Sequence, residues 1–499
     1  MASKLTSALR LCFFFLALWI LPSDAFQPRT LSQLPPVGGV VSALPLLLNT
    51  SLPINNVTAL LASFPANLTG NLTGLLLPNA TELAKIQQYV LNVTRPTVAS
   101  FIDGTNTTID CVPIQAQLSL INATLTNQTL PLTPPVGPRL NTTTVTSAVP
   151  VLNGTIPRII TPAANATALL NRTGLNATCP NGSVPVPRLT VADIARFGSL
   201  QAFLNSALNK GPPPNVTAPS SASDGHEYAT TSPDRSSSDT PPAFYGMQTS
   251  MSVWAPFVDQ PVGSREFSLS QVWVTGGTGI ALQTIEAGWQ VDTVAYGDAK
   301  PHLFIFSTRK GYTDPVCYAG RKDCPQGAAT FVQVSNSVYP TITLDSSVAN
   351  GDTVQYTLLV VRDSPTGNWW VKLGSEWVGY YPGNLYTSLA QSADSVALGG
   401  EIVDYARLPG APPGTPHTKT DMGSGEFAAG RSPATVAYHY NMMYVDEDNN
   451  LQTLDGIQVV NTNPAGYDPD CYSGQLVSST TGSEIFFFGG PGFSAVCAI

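Results

Sequence analysis

Two glutamates stand in contexts that could do chemistry. Glu286 lies in the run Ile285-Glu286-Ala287-Gly288-Trp289-Gln290-Val291, and Glu401 in Leu398-Gly399-Gly400-Glu401-Ile402-Val403. Two carboxyls brought close together cannot easily both ionise, so in acid the pair shares a proton. The ionised partner can then take a proton from a water attacking a carbonyl. The protonated partner can polarise that carbonyl and stabilise the developing oxyanion. Such hydrolysis needs no metal or organic cofactor, and the sequence leaves the two roles unassigned.

Other hydrolytic chemistries lack their residues. The chain has no GxSxG elbow, no HExxH and no Asp-Thr-Gly or Asp-Ser-Gly triplet. Gly276-Gly277-Thr278-Gly279 follows a strand but opens no helix and has no P-loop lysine, so it reads as a hairpin turn. His226, His302, His417 and His439 lie far apart in the chain, no CxxC occurs, and no metal site is expected. A net charge of −9 with no basic run excludes a nucleic-acid partner.

The elements that must position the glutamates read as strands. Alternating stretches include 267–274, 303–308, 354–362, 369–381 and 395–405, with 434–445 and 451–460 flanking a hairpin loop at 446–450. Only 11% of residues are charged, while Gly (41) and Pro (43) are plentiful, which suits short strands joined by turns. The pattern predicts an all-β, antiparallel β-sandwich. With a side-chain period of two, Glu286 shares a face with Gly288 and Gln290, and Glu401 with Gly399, while Trp289 packs on the opposite face. Glycine in a strand often marks close approach by a ligand. Gly288, Trp289, Gln290, Gly399 and Tyr380 are therefore taken as candidate substrate-binding residues. The plainer reading of both glutamates is an acid on a solvated sheet face.

The front of the chain has another character. Residues 1–25 read as a secretory signal: Lys4 and Arg10 precede an apolar run from Leu11 to Leu21, and Ser23 and Ala25 suit cleavage after Ala25. That run is well short of the roughly 20 residues a membrane span needs, so no membrane association is expected once the signal is removed. The six cysteines beyond Cys12 form an even set, which favours three disulfides in an oxidising compartment. Sixteen N-x-S/T sequons, at Asn49, Asn56, Asn67, Asn71, Asn79, Asn92, Asn106, Asn122, Asn127, Asn141, Asn153, Asn165, Asn171, Asn176, Asn181 and Asn215, precede residue 216, and none follows it. The front half should be coated with glycans and the back half left bare. Residues 26–215 carry few aromatics and a charge of +5, against −15 for residues 216–499. A largely irregular, glycosylated prosegment with short helices near 82–93 and 191–208 is expected, held partly by charge as an inhibitor. The Ser-rich run from Ser220 to Ser238 reads as an exposed, cleavable linker.

The motifs TIEAGWQVDTVAYGD, CYAG with DCP, GNWW, VGYYP, LGGEI and MGSGEF occur in the order in which they stand in the neprosin catalytic domain, which residues 225–497 resemble. Upstream, KIQQYVLNVTRPTVASFIDGTNTTIDCV (85–112) resembles the neprosin activation peptide. The resemblance implies a glutamic endopeptidase with a β-sandwich fold, cutting proline-containing peptides after proline in acid, with Glu286 and Glu401 as its catalytic pair. It also implies the pairings Cys317–Cys324, Cys471–Cys497 and Cys111–Cys179. The implied organisation is a signal (1–25), a glycosylated extension (26–84), an activation-peptide segment (85–120), a glycosylated insertion and linker (121–224) and the catalytic domain (225–499). The chain departs from the family pattern at Leu398, where an aromatic is usual, and at Ser307-Thr308-Arg309-Lys310, which replaces Trp-Thr and an acidic stretch. Both departures bear on subsite shape rather than on the glutamates. A secreted, wall-associated or acidic vacuolar self-processing zymogen is expected. The rival readings are an inactive extracellular glycoprotein-binding module and a two-carboxylate glycoside hydrolase.

Overall fold

The computed structural model describes residues 78–121, 125, 131–140, 158–160, 178–207, 210–213, 216, 225–233, 243–260, 265–408, 414–429, 432–454, 456–462, 471–478, 484–495 and 497. The signal, nearly all of the extension, residues 220–224 and 234–238 of the Ser-rich run and twelve of the sixteen sequons lie outside these residues. The expected exposed linker is corrected at 226–233, which form a buried strand because neighbouring strands pair with them on both sides. Apart from 191–193, the described residues fall within one compact unit made of 75–190 and 194–499.

Alternation in the back half builds two sheets. The first has six strands: β6 (His226–Pro233), β8 (Ser268–Gly276), β9 (Gln283–Val291), β10 (His302–Thr308), β15 (Ser395–Val403) and β18 (Ile457–Thr462). Their order is β10-β9-β8-β15-β6-β18, antiparallel throughout. The second sheet centres on β7 (Gly246–Ser252), β12 (Asp352–Arg362), β13 (Trp369–Leu373), β14 (Glu376–Tyr381) and β16 (Ala437–Val445). Between them lies the core, which includes Ile285, Ala287, Val272 and Leu398 from the first sheet and Met247, Leu358, Val360 and Trp369 from the second. Trp289 crosses the layers, its Nε1 donating to the Ser252 carbonyl at 2.9 Å. His439 crosses too, with Nε2 2.9 Å from Ser270 Oγ, and burial pushes its pKa down to about 3, so it stays neutral in mild acid.

The 369–381 stretch is two strands, because Gly374, at φ 56°, turns the chain between them. Likewise 451–460 divides between β17 (Asn450–Thr453) in the second sheet and β18 in the first.

Ahead of the sandwich, α1 (Ala80–Val93) buries Leu83, Ile86 and Val93, with Asn79 Oδ1 accepting from the Glu82 amide at 2.9 Å as its N-cap. A small sheet follows, in the order β1 (Ala99–Ile102), β2 (Thr108–Pro113), β5 (Ser183–Pro187). Its strands are too short, and β1 too exposed, to leave an alternating signal. The expected helix at 191–208 is two short ones, α2 (Val191–Ala195) and α3 (Leu200–Leu204), interrupted at Gly198, whose φ is 77°. Two pieces of the insertion join the second sheet in parallel: β3 (Arg139–Leu140) on β17 and β4 (Arg158–Ile160) on β12. Disulfides link Cys111 to Cys179, Cys317 to Cys324 and Cys471 to Cys497.

Candidate active site

Strand β8 lies between the strands that carry the two glutamates. Across it, Gln271 pairs with Gly288 on β9 and with Gly399 on β15, while Trp273 pairs with Glu286 and Leu269 with Glu401. Paired residues share a face. Glu286, Gln271, Trp273 and Glu401, with Tyr228 and His226 from β6 and Phe304 and Phe306 from β10, therefore project from the sheet face opposite the core. Both glutamates are fully buried.

A lysine of the front half covers them. Lys210 Nζ forms an ion pair with Glu401 Oε2 and lies 3.7 Å from Glu286 Oε2, with its side chain fully buried. The ring centroids of Phe267, Trp273 and Phe304 stand 5.3, 5.7 and 5.2 Å from the same nitrogen. Gly211, next in the chain, donates its amide to Glu401 Oε1 at 3.2 Å. A Cβ on Gly211 would sit 1.7 Å from Tyr228 Oη, so the glycine lets this backbone lie directly against the side chains of β6. Pro212 and Pro213 continue the buried run.

The two carboxyls have different surroundings. Glu401 accepts from Gln271 Nε2 at 2.6 Å and pairs with His226 Nδ1 at 2.8 Å. Burial alone would raise its pKa, but the Lys210 charge and the His226 contact together hold it below the ordinary carboxylate value. Glu286 accepts at Oε1 from Tyr312 Oη and Thr284 Oγ1, each at 2.7 Å. Here burial dominates, the Lys210 charge only partly opposes it, and Glu401 adds to it, so the pKa rises to about 7. The arrangement is one ionised and one readily protonated carboxyl about a single cation. Tyr312 is set by the turn after β10, where its amide donates to Thr308 Oγ1 at 2.8 Å and Thr308 in turn donates to Asp314 at 2.6 Å.

Gly288, Gln290 and Gly399 face this side of the sheet, but both glycines are explained by neighbouring backbone rather than by a ligand. A Cβ on Gly288 would meet the Ser270 carbonyl at 1.8 Å, and one on Gly399, at φ 145°, the Ala229 carbonyl at 2.2 Å. Gln290 accepts from Tyr296 Oη at 3.1 Å. Two candidate substrate-binding residues are corrected. Trp289 points into the core, where alternation sends it. Tyr380 stands on the second sheet in a separate cluster with Trp370 and Leu359, and no part of that cluster belongs to the glutamate face. Leu398 also packs in the core, so that departure from the family pattern leaves the cleft untouched.

Lys210, Gln271, Tyr228 and Tyr312 were not found by sequence reasoning, and His226 was noted only as one of four histidines scattered along the chain. Gln271 did leave a signal, as a polar residue within the apolar alternation of a central strand. Lys210 left none beyond its charge. The described sequon asparagines, Asn79, Asn92, Asn106 and Asn181, are all exposed.

Among solved structures, a Scytalido-glutamic peptidase bound to a peptide-based transition-state analogue matches with 10% identity over 54% of this chain and 98% of its own, at a TM-score of 0.27. An Eqolisin-family peptidase holding the tripeptide Ala-Ile-His matches with 9% identity over 53% and 97%, at 0.25. A homodimeric agglutinin from chicken liver matches with 8% identity over 35% and 93%, at 0.19. Scores this low carry no inference about this chain. The family profiles do. Residues 264–491 match neprosin, and residues 102–232, which include Lys210 and His226, match the neprosin activation peptide. With both segments present in that order, the chain carries a neprosin domain preceded by a neprosin activation peptide.

Proposed function

We propose that the chain is the latent precursor of a secreted glutamic endopeptidase that cuts proline-containing peptides, after proline, in acid. The observation that carries this reading is the placement of Lys210, from the activation-peptide match, against both glutamates. A segment that neutralises two carboxyls and fills the space before them occupies the position a scissile peptide would need.

Once the segment leaves, Glu401 is the general base. His226 and Gln271 remain to stabilise its ionised form, so it accepts a proton from the attacking water. Glu286, whose pKa burial raises to about 7 in the covered site, is assigned as the acid, donating to the carbonyl oxygen and then to the leaving amine. Tyr312 and Thr284 hold the Glu286 carboxyl in place. Tyr228 Oη is buried beside the pair, with no hydrogen-bond partner in the structure, and is placed to donate to the oxyanion. Neither cofactor nor metal enters these steps.

Acid loosens the latch. The Glu401 pKa is depressed in the latched state, so the ion pair holds above that value and is lost as pH falls through it. The +5 front half and −15 back half lose their attraction over the ordinary carboxylate range, near about 4. Cleavage in the linker that ends at residue 224, ahead of β6, follows, in an acidic wall, apoplast or vacuolar compartment reached through the signal at 1–25. The test is to hold purified precursor between pH 3 and 7 with a proline-containing peptide. Acid-dependent shortening and cleavage after proline, both absent in Glu286→Gln and Glu401→Gln, are expected. A precursor that stays full-length and inert in acid would overturn the reading.

A further inference from the structure

One groove lies well away from the glutamates, and a glycosylation sequon forms part of its wall. It has a volume of about 320 Å³, at the low end of the roughly 300–1,000 Å³ typical of small-molecule pockets. Leu132, Pro134 and Asn181 line it from the front half of the chain; Asn336, Glu376 and Trp377 line it from the back half. We propose that this groove seats the first sugars of an N-linked glycan carried by Asn181, and that the glycan thereby bridges the activation peptide and the catalytic domain. The proposal rests on the secreted reading, since glycosylation requires passage through the secretory route.

The attachment point suits this occupant. Asn181-Gly182-Ser183 is an N-x-S sequon, and Asn181 is exposed in a turn that Gly182 makes at φ 82°. The turn is fastened to the catalytic half, with the Cys179 amide donating to the Asn336 carbonyl at 2.9 Å and Asn336 Nδ2 to the Cys179 carbonyl at 3.0 Å. Asn336 Nδ2 also makes a long 3.5 Å contact with Asn181 Oδ1. Glycosylation substitutes only Nδ2 of an asparagine, so Oδ1 keeps that contact. A sugar on Asn181 therefore starts at the groove wall with its direction already constrained.

The lining suits the chemistry of a sugar. The apolar C–H face of a pyranose packs on an aromatic ring, while its hydroxyls need donors and acceptors around the rim. Trp377 is only partly buried and is braced by Trp370, edge to face with centroids 5.8 Å apart, and by Lys372 Nζ, 5.2 Å from its centroid. An amphipathic indole held rigid in this way offers contact area at low entropic cost. Glu376, Asn336 and Ser375 supply polar residues to the lining.

The molecule contains its own controls. Asn92 stands exposed on α1 and Asn106 in the turn between β1 and β2, and neither lines the groove. The experiment secretes the full chain from a glycosylating host, measures occupancy at each sequon by glycopeptide mass spectrometry, and follows amidase removal of glycans from the native protein. Asn181 is expected to be occupied and to lose its glycan at least about tenfold more slowly than Asn92 and Asn106, with the difference abolished by denaturation. Trp377→Ala should speed removal at Asn181 alone; if that variant is not secreted, the comparison within the wild-type chain decides. An unoccupied Asn181 beside occupied Asn92 and Asn106, or equal native removal rates, would overturn the seat. Absence of glycan from every sequon would overturn the secreted reading and the seat with it.

Discussion

The molecule holds two buried carboxyl clusters on opposite sides of the same sheet, and they differ in where the balancing charge comes from. In the cleft, Glu286 and Glu401 meet Lys210, which belongs to the activation-peptide match and, in the function proposed above, departs on activation. Behind the sheet, Glu227 pairs with His417 Nε2 at 2.8 Å, and Asp404 Oδ2 lies 3.8 Å from the same nitrogen. Glu266 joins them through hydrogen bonds from the Thr418 and Thr420 hydroxyls and the Tyr405 amide. All the partners behind the sheet belong to the sandwich itself. Alternation makes the division: on β6, His226 and Tyr228 face the cleft, while Glu227 between them faces inward. The same residue types thus meet a cation from the activation-peptide match on one face and partners from the sandwich itself on the other.

The largest effect should separate catalysis from support. In activated enzyme, Glu401→Gln is expected to lower kcat/KM for a proline-containing peptide by about 10²–10⁴-fold, with little change in the urea midpoint. A large stability loss with modest kinetic change would erase the contrast between the clusters. The converse variant, His417→Ala, leaves Glu227 and Asp404 without their buried counter-charge. It is expected to cost roughly 3–5 kcal/mol in urea unfolding while leaving kcat of the folded fraction near wild type.

Lys210→Met tests whether the cleft cation is the latch. Removing it should weaken the hold of the segment roughly a hundredfold, about 3 kcal/mol. The uncleaved variant should then hydrolyse a short peptide at pH values where the wild-type precursor is silent. Continued silence would move the latch to other contacts.

The smallest effect concerns pH. Burial raises the Glu266 pKa to about 7, against the hydrogen bonds it accepts. Burial raises Asp404 as well, and His417 sits above its usual value because its contacts with Glu227 and Asp404 outweigh burial. A group raised on folding stabilises fully below its unfolded pKa and loses that contribution as pH rises through the folded one. The support cluster is therefore strongest in acid, the condition in which the latch weakens. Stability should fall between pH 5 and 8 by on the order of 2 kcal/mol from Glu266 alone, and Glu266→Gln should flatten that part of the profile.

Much of this was legible along the chain. Alternation gave the strands, the shared face of Glu286 and Gln290, and the inward turn of Trp289; assigning Trp289 to the substrate as well contradicted that same alternation. Tyr380 failed for another reason: its strand sits in the other sheet, and periodicity within a strand does not say which sheet it joins. The glycines beside the glutamates were read as places where a ligand approaches, yet the approaching groups are the carbonyls of adjacent strands.

By itself the sequence determined the all-β character, the change of composition near residue 216 and the neprosin motifs that carry Glu286 and Glu401, because these rest on local periodicity, composition and short motifs. Only the tertiary structure decided that Lys210 lies against both glutamates, that the Lys210 charge and His226 hold the Glu401 pKa down while burial raises that of Glu286, and that a second carboxyl cluster stands behind them. Those facts depend on which distant segments meet and on how much water their meeting excludes, and neither quantity is written in the neighbourhood of any one residue.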